Sequence, residues 1–208
     1  MNVQRRARRI AATGILGIAV AAGVGFALAD SSDTQANKAP QSAQTPKIRS
    51  LQELQSAAHS LDRSRGSEDI LPPKLVEMLA ALPDQAPDAA IQSMHVLSAE
   101  GVGDLYVAPS LTGFAILSTI GFAGTVPGGL SESNPAVGGT AVLPDGRLAL
   151  MGIVSDAVSV IQINVKGETH QADREANGVW WVSRSSSLDP DDLTVTAVLK
   201  SGRVVRIF

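Results

Sequence analysis

The sequence feature that most constrains the fold is the alternation of apolar and polar residues over the last third of the chain, residues 140–208. The alternating runs are short, and turn-forming residues such as Pro144-Asp145-Gly146 and Asn177-Gly178 separate them. A period of two residues places successive side chains on opposite faces of a strand, and closely spaced turns join neighbouring strands into hairpins. This part of the sequence therefore predicts antiparallel β-structure.

Several strands can be placed individually. We predict hairpins of 140–143 with 147–154 and of 193–199 with 204–208, and a strand pair of 104–108 with 114–119. Residues 157–165 alternate but shift phase at Ile161, which indicates a bulge or a strand buried on both faces. Strand 179–183 contains adjacent tryptophans, which should face opposite ways, with one ring in the core and one on the outer face. The glycine-rich residues 121–139 and the polar residues 168–175 show no such alternation. They predict a long loop and a solvated hairpin end.

The residues before the β-rich part have helical periodicity. Apolar stripes predict helices over 48–63 and 72–82, while 84–97 is ambiguous and could hold another helical turn or two. The predicted fold class is a mainly β protein. We expect an antiparallel β-sandwich of about seven or eight strands, preceded by short α-helices and an N-terminal hydrophobic helix. The expected segments are a signal peptide or membrane anchor (1–29), a disordered linker (30–47), a short helical region (48–100) and the β-sandwich domain (101–208).

The N-terminus indicates export. Four arginines within residues 5–9 precede an uncharged run from Ile10 to Ala29, which ends in Ala27-Leu28-Ala29. This order is typical of a cleaved secretory signal peptide. The run is also about long enough to span a bilayer, so an uncleaved anchor is the alternative. Either way, we expect the bulk of the chain to be secreted or at the cell surface, with residues 10–29 as its one membrane contact if they are uncleaved.

Composition excludes several kinds of partner and site. Removal of the four N-terminal arginines leaves 13 basic residues against 20 acidic ones, so nucleic acid and anionic lipid are poor partners for the exported part. The chain has no cysteine, which excludes disulfides, a thiol nucleophile and thiolate metal sites. We expect no cofactor.

Three short motifs resemble a pattern found in uncharacterised secreted actinobacterial proteins. They are Gly152 to Val158, Asn177 to Trp180, and the ending Ser201 to Phe208; residues 71–108 are also similar. The sequence departs from that pattern at Ser155, where proline is common, and at Ser201, where aspartate is common. The resemblance implies export and a β-sandwich, and it implies no activity and no catalytic residue.

Residues that could carry chemistry are scattered. His59, His95 and His170 lie in three different segments, without the close spacing of a metal site. Lys200-Ser201-Gly202 is best explained as a hairpin turn, and Asp189 to Asp192 lacks the glycine and distal glutamate of a calcium loop. The serines form no Gly-x-Ser-x-Gly motif.

The sequence therefore favours an exported, non-enzymatic module that binds a protein or a cell-envelope component. Its candidate interaction surface consists of Trp180 and Trp181 together with Gly128 and Gly129 in the glycine-rich segment. A membrane-anchored extracytoplasmic regulator is the first alternative. A hydrolase whose residues converge only in three dimensions is the second.

Overall fold

The computed structural model describes residues 50–186 and 188–207 of the chain. The predicted signal peptide or anchor (1–29) and the predicted linker (30–47) lie outside the described residues. Within the described part the protein is mainly β, with two short α-helices and three single 3-10 turns beside twelve strands. Every strand pair in it is antiparallel, which confirms the predicted class.

Two short helices precede the first strand: α1 (Ser50–Ala57) and α2 (Pro73–Ala80). Both lie inside the predicted helical stretches. Pro73 begins α2. The first N–H groups of a helix have no partner within the helix, so proline loses no hydrogen bond at this position. Leu75 and Leu79 form the buried face of α2. The single 3-10 turns are His59–Leu61, Ser67–Asp69 and Pro190–Asp192.

The strands form three four-stranded sheets. Sheet I contains, in spatial order, β1 (Met94–Ala99), β2 (Gly103–Pro109), β3 (Gly113–Ser118) and β4 (Ala123–Pro127). Sheet II contains β5 (Ala136–Val142), β6 (Leu148–Val154), β10 (Gly178–Val182) and β9 (Asp173–Glu175). Sheet III contains β12 (Val204–Arg206), β11 (Leu193–Leu199), β7 (Val158–Val165) and β8 (Glu168–Gln171).

The predicted hairpins are confirmed. The β5–β6 turn closes where the Gly146 N–H donates to the Leu143 carbonyl at 2.8 Å, and Gly146 has a φ of 83° that suits glycine. The phase shift in β7 is a bulge, because Val198 and Leu199 of β11 pair with Val160 and Val158, so that Ser159 is extra.

Sheet II is the middle layer of three. Core A contains Met151 and Ile153 of β6 together with Phe114 of sheet I, and α1 closes it. Core B lies on the other face of sheet II, where Leu150 of β6 packs with Ile163 of sheet III. A third cluster places α2 over the outer face of sheet I. The inner strands of sheet II, β6 and β10, are therefore covered on both faces.

Three sequence expectations differ from the structure. The predicted loop 121–139 contains β4 and half of β5, and the predicted hairpin end 168–175 contains β8 and β9. β1 occupies part of the ambiguous stretch 84–97. Most of these strands lie at sheet edges and carry glycine or polar residues, so they lack the apolar alternation that marks a half-buried strand. Residues 50–186 and 188–207 consequently contain twelve strands, where the sequence predicts seven or eight.

Candidate interaction surface

The predicted surface tryptophans lie on β10, an inner strand of sheet II. Trp181 is 9% exposed and belongs to core B, while Trp180 faces the opposite way and packs against core A. The expectation of one outward ring is wrong, because sheet II has a sheet on each side. Trp180 is half-buried against core A and Trp181 is buried in core B.

Gly128 and Gly129 begin the connection between β4 and β5, residues 128–135. Their φ angles are 77° and 83°, a region that favours glycine. Gly128 is exposed and Gly129 is buried. The turn that follows is fixed by its own hydrogen bonds: the Asn134 N–H donates to Ser131 Oγ at 3.1 Å, and the Ser131 N–H donates to the Asn134 carbonyl at 3.0 Å. The two glycines therefore lie directly beside the end of β4.

β4 is an edge strand of sheet I, and half of its backbone groups face away from β3. The Ser118 N–H donates to the Phe122 carbonyl, and the Gly128 N–H donates to the Thr112 carbonyl, both at 2.9 Å. Antiparallel pairing alternates, so even-numbered residues of β4 bond to β3 and odd-numbered ones point outward. The outward N–H and C=O groups of Ala123 and Thr125 form no hydrogen bond within the described part of the chain. This edge is open.

The open edge carries no charge. No charged residue lies between Asp104 and Glu132, an interval that includes the whole of β3 and β4. The next interval, from Glu132 to Asp145, is also uncharged and includes β5, one of the two edge strands of sheet II. Edge strands are commonly protected by charged side chains, lysine above all. β4 lacks that protection, although its last residue, Pro127, has no N–H and limits how far a partner strand can extend.

At the opposite edge of sheet I, the backbone N–H and C=O groups of His95 have side-chain partners. The N–H of His95 in β1 donates to Asp69 Oδ1 at 2.7 Å, and Arg63 Nη2 donates to the His95 carbonyl at 3.2 Å. Asp69 and Arg63 also bond to each other through two contacts of 2.8 and 2.7 Å. The ion pair thus satisfies the outward backbone groups of His95 much as a neighbouring strand would.

Asp69 is fully buried and remains a carboxylate. Burial alone raises the pKa of Asp69, but hydrogen bonds from Arg63 and from the N–H groups of Gly66 and His95 outweigh burial and lower it to about 2. Ser93 Oγ donates to the Asp69 carbonyl at 2.8 Å and adds a second connection to the chain before β1. We call Arg63, Asp69 and their bonds to His95 the β1 clamp.

A second polar cluster ties the segment after α1 to the turn between β6 and β7. Asp156 Oδ2 accepts from the His59 N–H at 3.0 Å and contacts His59 Nδ1, while Asn177 Nδ2 donates to Asp156 Oδ1 at 3.0 Å. Burial raises the pKa of Asp156, but the hydrogen bonds from His59 and Asn177 outweigh it and lower that pKa. Ser155, the residue before Asp156, has a buried hydroxyl without a hydrogen-bond partner among the described residues. The hydroxyl is therefore not paired with His59, and the cluster is a structural tie.

The other histidines form no catalytic set. Asp104 Oδ1 accepts from Ser98 Oγ at 2.7 Å and lies 3.7 Å from His95 Nε2, so the carboxylate stands between hydroxyl and imidazole. A nucleophilic triad needs the imidazole in the middle. His170 of β8 in sheet III packs on Trp181 of β10 in sheet II, with the ring centroids 5.9 Å apart. The three histidines thus lie in three separate places.

The remaining motifs are turns. Asp189 Oδ1 accepts from the Asp191 N–H at 3.0 Å, and Asp192 pairs with Lys166 at 3.0 Å. The Gly202 N–H donates to the Leu199 carbonyl at 2.9 Å, which closes the predicted Lys200-Ser201-Gly202 turn. Among residues 50–186 and 188–207, no three histidine, aspartate or glutamate side chains are grouped to hold a metal ion. A narrow cleft between sheets II and III is lined entirely by apolar residues and glycines, such as Ala136, Gly152 and Ile207.

Comparison of the chain with protein-family models, with curated proteins and with solved structures finds no match. The resemblance to secreted actinobacterial proteins stays a prediction. Within the described range, no helix has the length and apolar character needed to span a bilayer.

Sequence reasoning found the two glycines beside the open edge but missed the edge itself. The usable signal was the absence of charge from residue 105 to residue 131. No sequence pattern indicates the β1 clamp, because Asp69 lies in a polar segment and its hydrogen-bond partner His95 lies 26 residues later in the chain.

Proposed function

We propose that the protein is an exported, non-enzymatic binding module that acts outside the cytoplasmic membrane on a protein or another envelope component. Support for export is the arginine cluster followed by the uncharged run 10–29. Support for binding rather than catalysis is the use of the polar side chains. The clusters around Asp69 and Asp156 tie segments of the fold together, and Asp104 separates Ser98 from His95.

The observation that carries the proposal is the open, uncharged edge of β4 beside Gly128 and Gly129. Unpaired N–H and C=O groups on a sheet edge are a site for an added extended strand, which gains main-chain hydrogen bonds. The glycines leave space next to it, since a Cβ atom at Gly124, Gly128 or Gly129 would meet no atom within 4 Å. A partner segment could therefore approach the backbone closely.

A photoreactive residue tests the binding surface in cells. Pro127 is exposed at the end of β4, and Thr169 is exposed on β8, an edge strand of sheet III next to Glu168. Placed at position 127 in the full chain in an exporting host, the probe should yield discrete cross-linked adducts. The same probe at position 169 should yield few. No adducts at either position, or equal adducts at both, would contradict a binding role for this surface.

The mature mass tests export. A soluble species that begins at Asp30 is expected for a cleaved, secreted module. A membrane-bound species that retains Asn2 would indicate the anchored form, with the same binding surface facing outward. Recovery of the chain from the cytoplasm would contradict the proposal.

A further inference from the structure

We infer that the β4 edge pairs with the β4 edge of a second copy of this chain, so that two copies of sheet I form one continuous eight-stranded antiparallel sheet. The inference rests on the proposed function, because it names the partner of the same surface. It follows from the identity of the outward groups, the position of Pro127 and the distribution of charge.

An antiparallel pair of identical strands is related by a two-fold axis, which is the symmetry of the commonest protein dimers. Pairing outward odd-numbered residues with each other allows the axis to lie at Ala123, Gly124, Thr125 or Val126. An axis at Gly124 places Ala123 opposite Thr125 of the second copy, and both residues then exchange N–H and C=O bonds. This alignment makes four hydrogen bonds and leaves no N–H or C=O of Ala123 or Thr125 unpaired.

The other three alignments are less favourable. An axis at Ala123 places Thr125 opposite Gly121, whose N–H already donates to the Ser118 carbonyl at 3.0 Å. An axis at Val126 places Thr125 opposite Pro127, which has no N–H. An axis at Thr125 meets the same proline. It places Ala123 opposite Pro127 of the second copy, and Pro127 has no N–H to offer the Ala123 carbonyl. An unpaired carbonyl in a buried strand pair costs free energy. The structure therefore selects the axis at Gly124, where the absent side chain also permits close approach of the two backbones.

Charge favours contacts through the β4 and β5 edges over contacts through the charged edges of sheet III. The sequence from Asp30 onward carries seven more acidic than basic residues, so two copies repel each other in general. The β4 edge and the neighbouring β5 edge lie within uncharged intervals. By contrast, the β8 edge begins with Glu168, and the β12 edge follows Arg203 and ends at Arg206.

Thr125→Pro is the first test, with Thr125→Val as its matched control. Proline removes the outward N–H of residue 125 without removing a bond to β3, and outward positions of edge strands tolerate it. Both variants lose the hydroxyl, which donates to the Pro83 carbonyl at 3.4 Å. Sedimentation equilibrium of the chain purified from the exporting host should show a concentration-dependent dimer. Proline should weaken it about 30-fold through the loss of two bonds, and valine by less than about 3-fold.

Gly124→Cys supplies a second test that does not depend on proline. Directly opposed residues in a non-hydrogen-bonded pair are close enough for a disulfide, and the chain has no other thiol. Mild oxidation should give a covalent dimer of Gly124→Cys and none of Thr169→Cys. This assay works for a soluble or a membrane-anchored form alike.

Three results would overturn the inference: a monomer at all concentrations, a dimer that Thr125→Pro leaves intact, or equal cross-linking of Gly124→Cys and Thr169→Cys. A monomer whose position 127 still cross-links to another protein in cells would overturn the dimer alone and leave the proposed function standing. Absence of both the dimer and the adducts would remove both.

Discussion

The two edges of sheet I differ in how their outward backbone groups are satisfied. At the β1 edge, Asp69 and Arg63 bond to the N–H and C=O of His95. At the β4 edge, the corresponding groups of Ala123 and Thr125 have no partner within the described residues. An ion pair from the preceding segment closes the β1 edge at His95, whereas the β4 edge is open and lies in an uncharged stretch of the sequence. The difference indicates that the open edge is the one at which the sheet can extend.

Loss of the β1 clamp should have the largest effect on stability. We expect Asp69→Asn to lower the free energy of unfolding by about 3 kcal/mol, because Arg63 loses its buried carboxylate partner. Glu68→Gln is the matched control, since Glu68 is half exposed and bonds to the same guanidinium at 3.1 Å. It should cost less than about 1 kcal/mol in urea unfolding. Equal effects of the two substitutions would contradict a clamp centred on Asp69.

Amide hydrogen exchange compares the two edges directly. The His95 N–H is held by a buried carboxylate, while the N–H groups of Ala123 and Thr125 face outward. In dilute solution, exchange at His95 should be at least about 100-fold slower than at Ala123 or Thr125. Similar rates would contradict the contrast. If a higher protein concentration slows amide exchange at Ala123 and Thr125 but not at His95, the result would support pairing of two copies at the open edge.

Acid should weaken the closed edge. Because the folded pKa of Asp69 is about 2, below its unfolded value, its stabilisation is fully present above about pH 4 and is lost as pH falls toward 2. We expect about 2 kcal/mol of pH-dependent stability from this carboxylate. Urea unfolding across this pH range should show a shallower loss for Asp69→Asn than for the unmodified chain. If the free energy of unfolding falls equally with pH in both proteins, groups other than Asp69 cause the acid sensitivity.

The smallest effect should come from Thr125→Val at the open edge. Its hydroxyl makes one long bond of 3.4 Å to the Pro83 carbonyl. We expect a change in the free energy of unfolding below about 0.5 kcal/mol. A larger loss in thermal unfolding would mean that β4 depends on the segment after α2 more than its contacts indicate.

Sequence reasoning succeeded where burial falls on alternate residues. The sequence predicts β11 with its observed bounds. The phase shift at Ile161 indicates a bulge or a strand buried on both faces, and the structure shows the bulge. It failed where a strand has no apolar pattern, as in β4 with Gly124 and Thr125 and in β8 with Glu168 to Gln171. It also misjudged the tryptophans, because alternation indicates that a strand has two faces but not how many sheets cover them.

The resulting position of Trp180 and Trp181 has a consequence for how the protein loses its structure. Neighbouring residues of one strand reach into two separate cores, so core A and core B share β10 and its sheet as a common wall. We therefore expect the two cores to lose their packing together, so that the domain unfolds as one cooperative unit. The two indoles, which are all the tryptophans of the chain, are built-in fluorescent reporters on either side of that wall. Trp180→Phe and Trp181→Phe should therefore each give a single transition, detected by the remaining ring. Two transitions with separate midpoints in either variant would mean that the layers come apart one at a time.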